Sequence, residues 1–134
     1  MFGTATFDVP TGRAKPQRLL LVEDHAPTRL IMSRLIRESG AHVVTARDGE
    51  EALRYLLAQR FDVLLTDLRM PVMDGFDLIA AVNDLPPSHK PHRVIAISGE
   101  YEAGALRGSP IDVAFMAKPF NLDALLQLLS GKPN

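Results

Sequence analysis

Three stretches of this chain are apolar at consecutive rather than alternating positions: Leu19-Leu20-Leu21-Val22, Val63-Leu64-Leu65-Thr66 and Val94-Ile95-Ala96-Ile97. A strand with one wet face alternates. A strand that does not alternate is covered on both faces, which points to a parallel sheet held between two layers of helices. Val113-Ala114-Phe115-Met116 and the β-branched His42-Val43-Val44-Thr45-Ala46 supply two more strands.

Helical spacing fills the gaps between them. Pro27 stands where a first-turn proline is tolerated, Leu30, Ile31, Leu35 and Ile36 follow, and Gly40 supplies a stop. Asp48-Gly49-Glu50-Glu51 has the capping-box pattern ahead of Ala52, Leu53, Leu56 and Leu57, predicting a second helix to about Gln59. Asp74 and Asp77 frame a third helix with Phe76, Ile79, Ala80 and Val82 on its inner face, ending before a loop at Pro86 to Pro91. Glu100 to Leu106 offers two weak turns at most before Gly108-Ser109-Pro110, so a helix between the fourth and fifth strands is expected to be short or irregular. Asn121 caps a last helix carrying Leu122, Leu125, Leu126 and Leu129, most simply as core. Strands alternating with helices need right-handed crossovers, so the expected class is α/β, a doubly wound open five-stranded parallel sheet.

Residues 1–17 show no sustained periodicity and hold Gly3, Pro10, Gly12 and Pro16, the pattern of a flexible extension. The domain is then expected over 18–130, with a tail at 131–134. Arg13, Lys15 and Arg18 form a small basic cluster, read as a solvated tail. The whole chain balances 15 basic against 16 acidic residues, so the electrostatic footprint of a nucleic-acid binder is missing. Without cysteine there is no thiolate metal site or cysteine nucleophile. No apolar run approaches the roughly 20 residues that span a bilayer. The expectation is a cytoplasmic protein with no membrane partner.

In parallel sheets of this kind chemistry gathers beyond the carboxyl ends of the strands. Here those ends are polar: Glu23-Asp24 after the first strand, Asp67 after the third, Ser98 after the fourth and Lys118-Pro119 after the fifth. Two carboxylates a few ångströms apart repel by roughly 4 kcal/mol at an effective dielectric near 20, so this edge needs positive charge. A hard divalent cation suits an oxygen-only donor set; Mg²⁺ or Mn²⁺ fits better than Ca²⁺, because nothing resembles a twelve-residue calcium loop. With such a cation and Lys118 beside it, an Asp67 oxygen is placed to attack phosphorus and become an acyl phosphate.

Taken in order, Leu20-Leu21-Val22-Glu23-Asp24, Leu64-Leu65-Thr66-Asp67-Leu68-Arg69-Met70-Pro71-Val72-Met73-Asp74-Gly75, Ile95-Ala96-Ile97-Ser98 and Ala117-Lys118-Pro119-Phe120 resemble the receiver domain of two-component response regulators. The resemblance implies a flavodoxin-like sheet of order 2-1-3-4-5. It implies Asp67 as phosphoacceptor, Glu23, Asp24, Asp67 and the Arg69 backbone carbonyl as Mg²⁺ ligands, and Ser98 and Lys118 on the phosphoryl group. Ser98 and Phe115 would be the switch pair, and Pro119 would follow a cis bond, against the alternative of a trans loop proline. The donor would be a phosphohistidine on a histidine kinase or histidine phosphotransfer protein, and the output a downstream protein target. Phe115 departs from the commoner tyrosine, and the short segment after Ser98 departs from a firm fourth helix.

Further expectations concern single residues. Arg69 and Glu100 carry opposite charges at matching distances from Asp67 and Ser98, and are expected to pair across the site and hinder hydrolysis. His25, beside the acidic pair, is a candidate contact for a docking kinase; His42, His89 and His92 show no metal spacing. Asp74 and Gly75 are expected to carry a turn and helix cap. The overall expectation is a stand-alone receiver, monomeric or weakly dimeric, with Met1 leaning against an internal fragment. Two alternatives remain: a Mg²⁺-dependent aspartyl-phosphate phosphatase, against which Arg69 stands where a second aspartate would be needed, and a non-phosphorylated scaffold of the same fold.

Overall fold

The computed structural model describes residues 17–130. The expected extension before Gln17, with Arg13 and Lys15, and the tail at 131–134 lie outside the described residues. The five strands are β1 (Arg18–Val22), β2 (His42–Ala46), β3 (Val63–Asp67), β4 (Arg93–Ser98) and β5 (Ala114–Ala117). All pair in parallel, in the order β2-β1-β3-β4-β5. The helices are α1 (Ala26–Glu38), α2 (Gly49–Ala58), α3 (Gly75–Asn83) and α4 (Leu122–Ser130), with 3-10 turns at Pro87–His89 and Ala103–Leu106.

The consecutive apolar runs are explained by two cores, one on each face of the sheet. Leu20, Val22, Leu64, Val94 and Ala96 pack toward α2 and α3, against Ala52, Leu56, Leu78 and Val82. Leu19, Leu21, Val63, Leu65, Ile95 and Ile97 pack toward α1 and α4, against Met32, Ile36, Leu125 and Leu129. At about 1.5 to 3 kcal/mol for each fully buried large apolar side chain, the central strand β3, buried along its whole length, is fixed in register more firmly than either edge.

Helix starts follow side-chain capping. Asp48 accepts from the Glu51 N–H at 2.8 Å, Asp74 from the Asp77 N–H at 2.9 Å and Asn121 from the Ala124 N–H at 3.2 Å. The capping box of α2 is offset by one residue, since Glu51 reaches back to the Arg47 N–H rather than to that of the cap. Three expectations are corrected. On α3 it is Leu78, not Ala80, that joins Ile79 and Val82 in the core, and Ala80 is exposed. Strand β5 begins at Ala114 and not Val113. Arg18 is no part of a solvated tail: it opens β1, its guanidinium 5.4 Å from the Phe61 ring centre and its Nε donating to the Arg60 carbonyl at 2.9 Å. Between β4 and β5 only the four-residue 3-10 turn forms. Gly104, Gly108 at φ +83° and Pro110 are the cause, since glycine costs about 1 kcal/mol and proline about 3 in a helix.

Candidate functional site

Parallel register carries every strand's carboxyl end to one edge. Asp67 is the last residue of β3 and is 9% exposed; Glu23 follows β1 and is 3% exposed. Asp24 beside it faces solvent. One oxygen from each of these three carboxylates lies within 4.8 Å of the others. Lys118, following β5, is drawn in by its N–H on the Ser98 carbonyl at 2.9 Å, and its bond to Pro119 is cis. Its Nζ donates to Asp67 Oδ2 at 3.0 Å and to Glu23 Oε1 at 3.3 Å. The positive charge that sequence reasoning asked of a cation is thus partly supplied from within.

The remaining atoms of the two buried carboxylates are also held. Glu23 Oε2 accepts the His25 N–H at 3.1 Å, and the Arg69 N–H lies 3.4 Å from Asp67 Oδ1. Burial raises the pKa of Glu23 above the ordinary glutamate value, against the pull of the His25 amide and Lys118. For Lys118 burial works downward, but the hydrogen bond and charge of Asp67, with those of Glu23, outweigh it and the ammonium is held more firmly than usual.

The loop after Asp67 is clamped at both ends. The Gly75 N–H bonds the Leu68 carbonyl at 3.0 Å, and a Cβ on Gly75 would collide with the Asp67 carbonyl and the Leu68 Cα. At the other end the Gly49 N–H bonds the Met73 carbonyl at 3.2 Å. Between the clamps Val72 sits at φ +70° and is 75% exposed, a backbone region that a β-branched residue enters only under strain. Asp74 and Gly75 therefore serve the turn and the cap.

Arg69 and Glu100 do meet, Nη1 to Oε1 at 2.8 Å, both largely in solvent. Ser98 is buried, and Phe115 is half-buried against the core on the α3 side. His25 caps α1, its Nδ1 2.7 Å from the Thr28 hydroxyl. His92 lies elsewhere, 3.6 Å from Asp62. Sequence reasoning missed Tyr101. It packs edge-on against Phe76 and joins Asp24, Arg69 and Asp74 in walling a cleft of about 450 Å³ beside the carboxylates. An aromatic three residues beyond Ser98, in a segment with no apolar periodicity, was the available signal.

A buried acidic pair bridged by one lysine, on the carboxyl edge of a 2-1-3-4-5 parallel sheet, has a counterpart among known proteins. Residues 19–130 match the response regulator receiver domain. The chain belongs to that family. It is 32% identical over 115 residues to the transcriptional regulatory protein GlrR of Escherichia coli K12, which takes in 86% of this chain and 26% of that protein. The chain thus spans about a quarter of that relative's length. The chemotaxis protein CheY4 of Vibrio cholerae superposes with a TM-score of 0.77 at 30% identity, over 87% of this chain and 98% of that one. The receiver domain of sensor histidine kinase PA1611 from Pseudomonas aeruginosa, solved with a magnesium ion in its active site cleft, gives 0.73 at 28% identity over 87% and 99%. Receiver domains are signalling domains of two-component systems, and the Glu23, Asp24 and Asp67 oxygens form an acidic group of the kind in which they bind Mg²⁺. No helix among the described residues is long and apolar enough to cross a membrane.

Proposed function

We propose that this receiver is a phosphorylation switch in which Asp67 takes a phosphoryl group from a phosphohistidine. One observation carries the reading: the Asp67 carboxylate shares a single ammonium, at 3.0 Å, with a second buried carboxylate at the sheet edge. An Asp67 oxygen attacks phosphorus, the N–P bond breaks, the imidazole leaves with the electron pair and takes up a proton, and an acyl phosphate remains. Mg²⁺ held by Glu23, Asp24, Asp67 and the Arg69 backbone carbonyl would spread the charge of the phosphoryl oxygens. Mn²⁺ obeys the same donor preference, and nothing in the site singles it out. Lys118 pairs with one phosphoryl oxygen, and the Ser98 hydroxyl donates to another. Phe115 moves inward as Ser98 moves toward the phosphate.

Lys118 also forms one end of an apolar groove of about 540 Å³ between α1 and α4, walled by Ile31, Leu35, Pro119 and Phe120. A helical donor, whether histidine kinase or phosphotransfer protein, lying there brings its phosphohistidine to Asp67 and passes His25 on the way. The balance of 15 basic against 16 acidic residues supports a cytoplasmic receiver whose output runs through protein contacts rather than direct binding of nucleic acid.

Incubation with acetyl phosphate and Mg²⁺ tests the assignment. Stoichiometric labelling is expected, and Asp67→Asn should abolish it with the circular dichroism unchanged; a label retained on another residue overturns the assignment. Arg69 and Glu100 are modulators in this reading, their ion pair standing over the path of the hydrolytic water. Arg69→Ala should shorten the acyl-phosphate lifetime severalfold, and an unchanged lifetime dismisses that role.

A further inference from the structure

Ser98 Oγ accepts two backbone bonds, from the Glu100 N–H at 3.0 Å and the Tyr101 N–H at 2.9 Å. A hydroxyl has two acceptor lone pairs and one proton to give. Both lone pairs are therefore committed to the turn that follows β4, and only the proton is left for a phosphoryl oxygen. The same turn has two anchors on the segment that begins at Asp67. Glu100 Oε1 holds Arg69 at 2.8 Å, and the Tyr101 ring meets Phe76 edge-on, with centroids 5.0 Å apart and planes at 87°. Phe76 is the second residue of α3 and also lines a small cleft of about 180 Å³ with Ile79, Leu106 and Pro110. Among the described residues no α-helix stands between β4 and β5 to carry a displacement of this turn elsewhere.

We propose that Tyr101 is a latch on α3: phosphorylation draws the Ser98 hydroxyl toward Asp67, the turn follows, and the Tyr101 ring lifts off Phe76. The proposal rests on Asp67 being the acceptor. The amides of Glu100 and Tyr101 hang on the one atom that must move, and part-buried N–H groups left without an acceptor are costly. They therefore travel with it. Tyr101, three residues from Ser98, is displaced from the ring it touches. Phe76 is then uncovered beside Ile79 and Leu106, so the phosphorylated state presents an apolar strip at the start of α3, and the signal is read there.

Fluorine NMR reads this directly, because the chain has only two tyrosines, Tyr55 and Tyr101. Fluorotyrosine incorporated into the Tyr55→Phe protein leaves Tyr101 as the sole labelled ring. Adding Mg²⁺ and beryllium fluoride as phosphoryl mimic should shift its resonance. Phe76→Leu should move the resonance the same way without any addition, and the mimic should then shift it little further. Bound beryllium fluoride shows fluorine lines of its own, which separates two failures. Bound mimic with an unmoved Tyr101 overturns the latch alone. No bound mimic overturns the acceptor assignment, and the latch falls with it. Should Tyr55→Phe not fold, the parent labelled at both tyrosines serves, Tyr101 being assigned by the line lost in Tyr101→Phe.

Discussion

Glu23 occupies a buried position that a carboxylate occupies at a cost. The folded chain holds its proton more tightly than the unfolded chain does, because burial disfavours the charge. The stability this group contributes is therefore full below its ordinary value of 4.5 and is lost as pH rises through the higher folded value. With a chelator present, Glu23→Gln should melt higher than the parent at pH 7, and the two curves should converge near pH 4. The same variant should lose most of the stabilisation that added Mg²⁺ gives the parent. A lower melting temperature at pH 7 would mean that the bond to Lys118 outweighs burial. At this scale the sequence was most readable where a polar residue ended an apolar run, as at Glu23, Asp67, Ser98 and Lys118. Tyr101 was not readable, because an aromatic ring's partner across two loops is set by the fold and leaves no periodicity.

Elements were legible where caps and spacing agreed, as in α2 with Asp48 and Glu51. They were less so where two faces of a helix compete. On α3 both Leu78 and Ala80 lie within reach of an apolar stripe, and the choice depends on how the helix leaves Gly75. That exit is tight. Gly75→Ala drives a Cβ into the backbone of Asp67 and Leu68, atoms that cannot swing aside, and should destabilise by about 1 to 3 kcal/mol in urea titration while loosening the loop after Asp67. Gly104→Ala is the control: its Cβ meets only the end of the Arg107 side chain at 4.0 Å. It should be neutral, or stabilise by up to about 1 kcal/mol through the unfolded chain. Equal losses from the two variants would contradict the steric account. The weak β4–β5 connection follows the same logic, since its glycines and proline withhold a helix that apolar residues alone would not have excluded.

For the whole molecule, parallel register does the gathering. Val22 pairs with Thr66, Asp67 with Ile97 and Ser98 with Ala117, so residues more than ninety positions apart, Glu23 and Lys118, meet without any long-range motif to announce them. Fold class was legible because unbroken apolar runs admit few architectures, and strand order only through the family that the strand-end motifs resemble; the distances within the site were not, because they depend on which charges neutralise one another. Lys118 settles that competition in an unexpected direction. A cation binding at this edge meets two anions already engaged by an amine, so its measured affinity is a difference between two partnerships. Weakening the amine should tighten the ion's hold even as it slows the phosphoryl transfer proposed for Asp67.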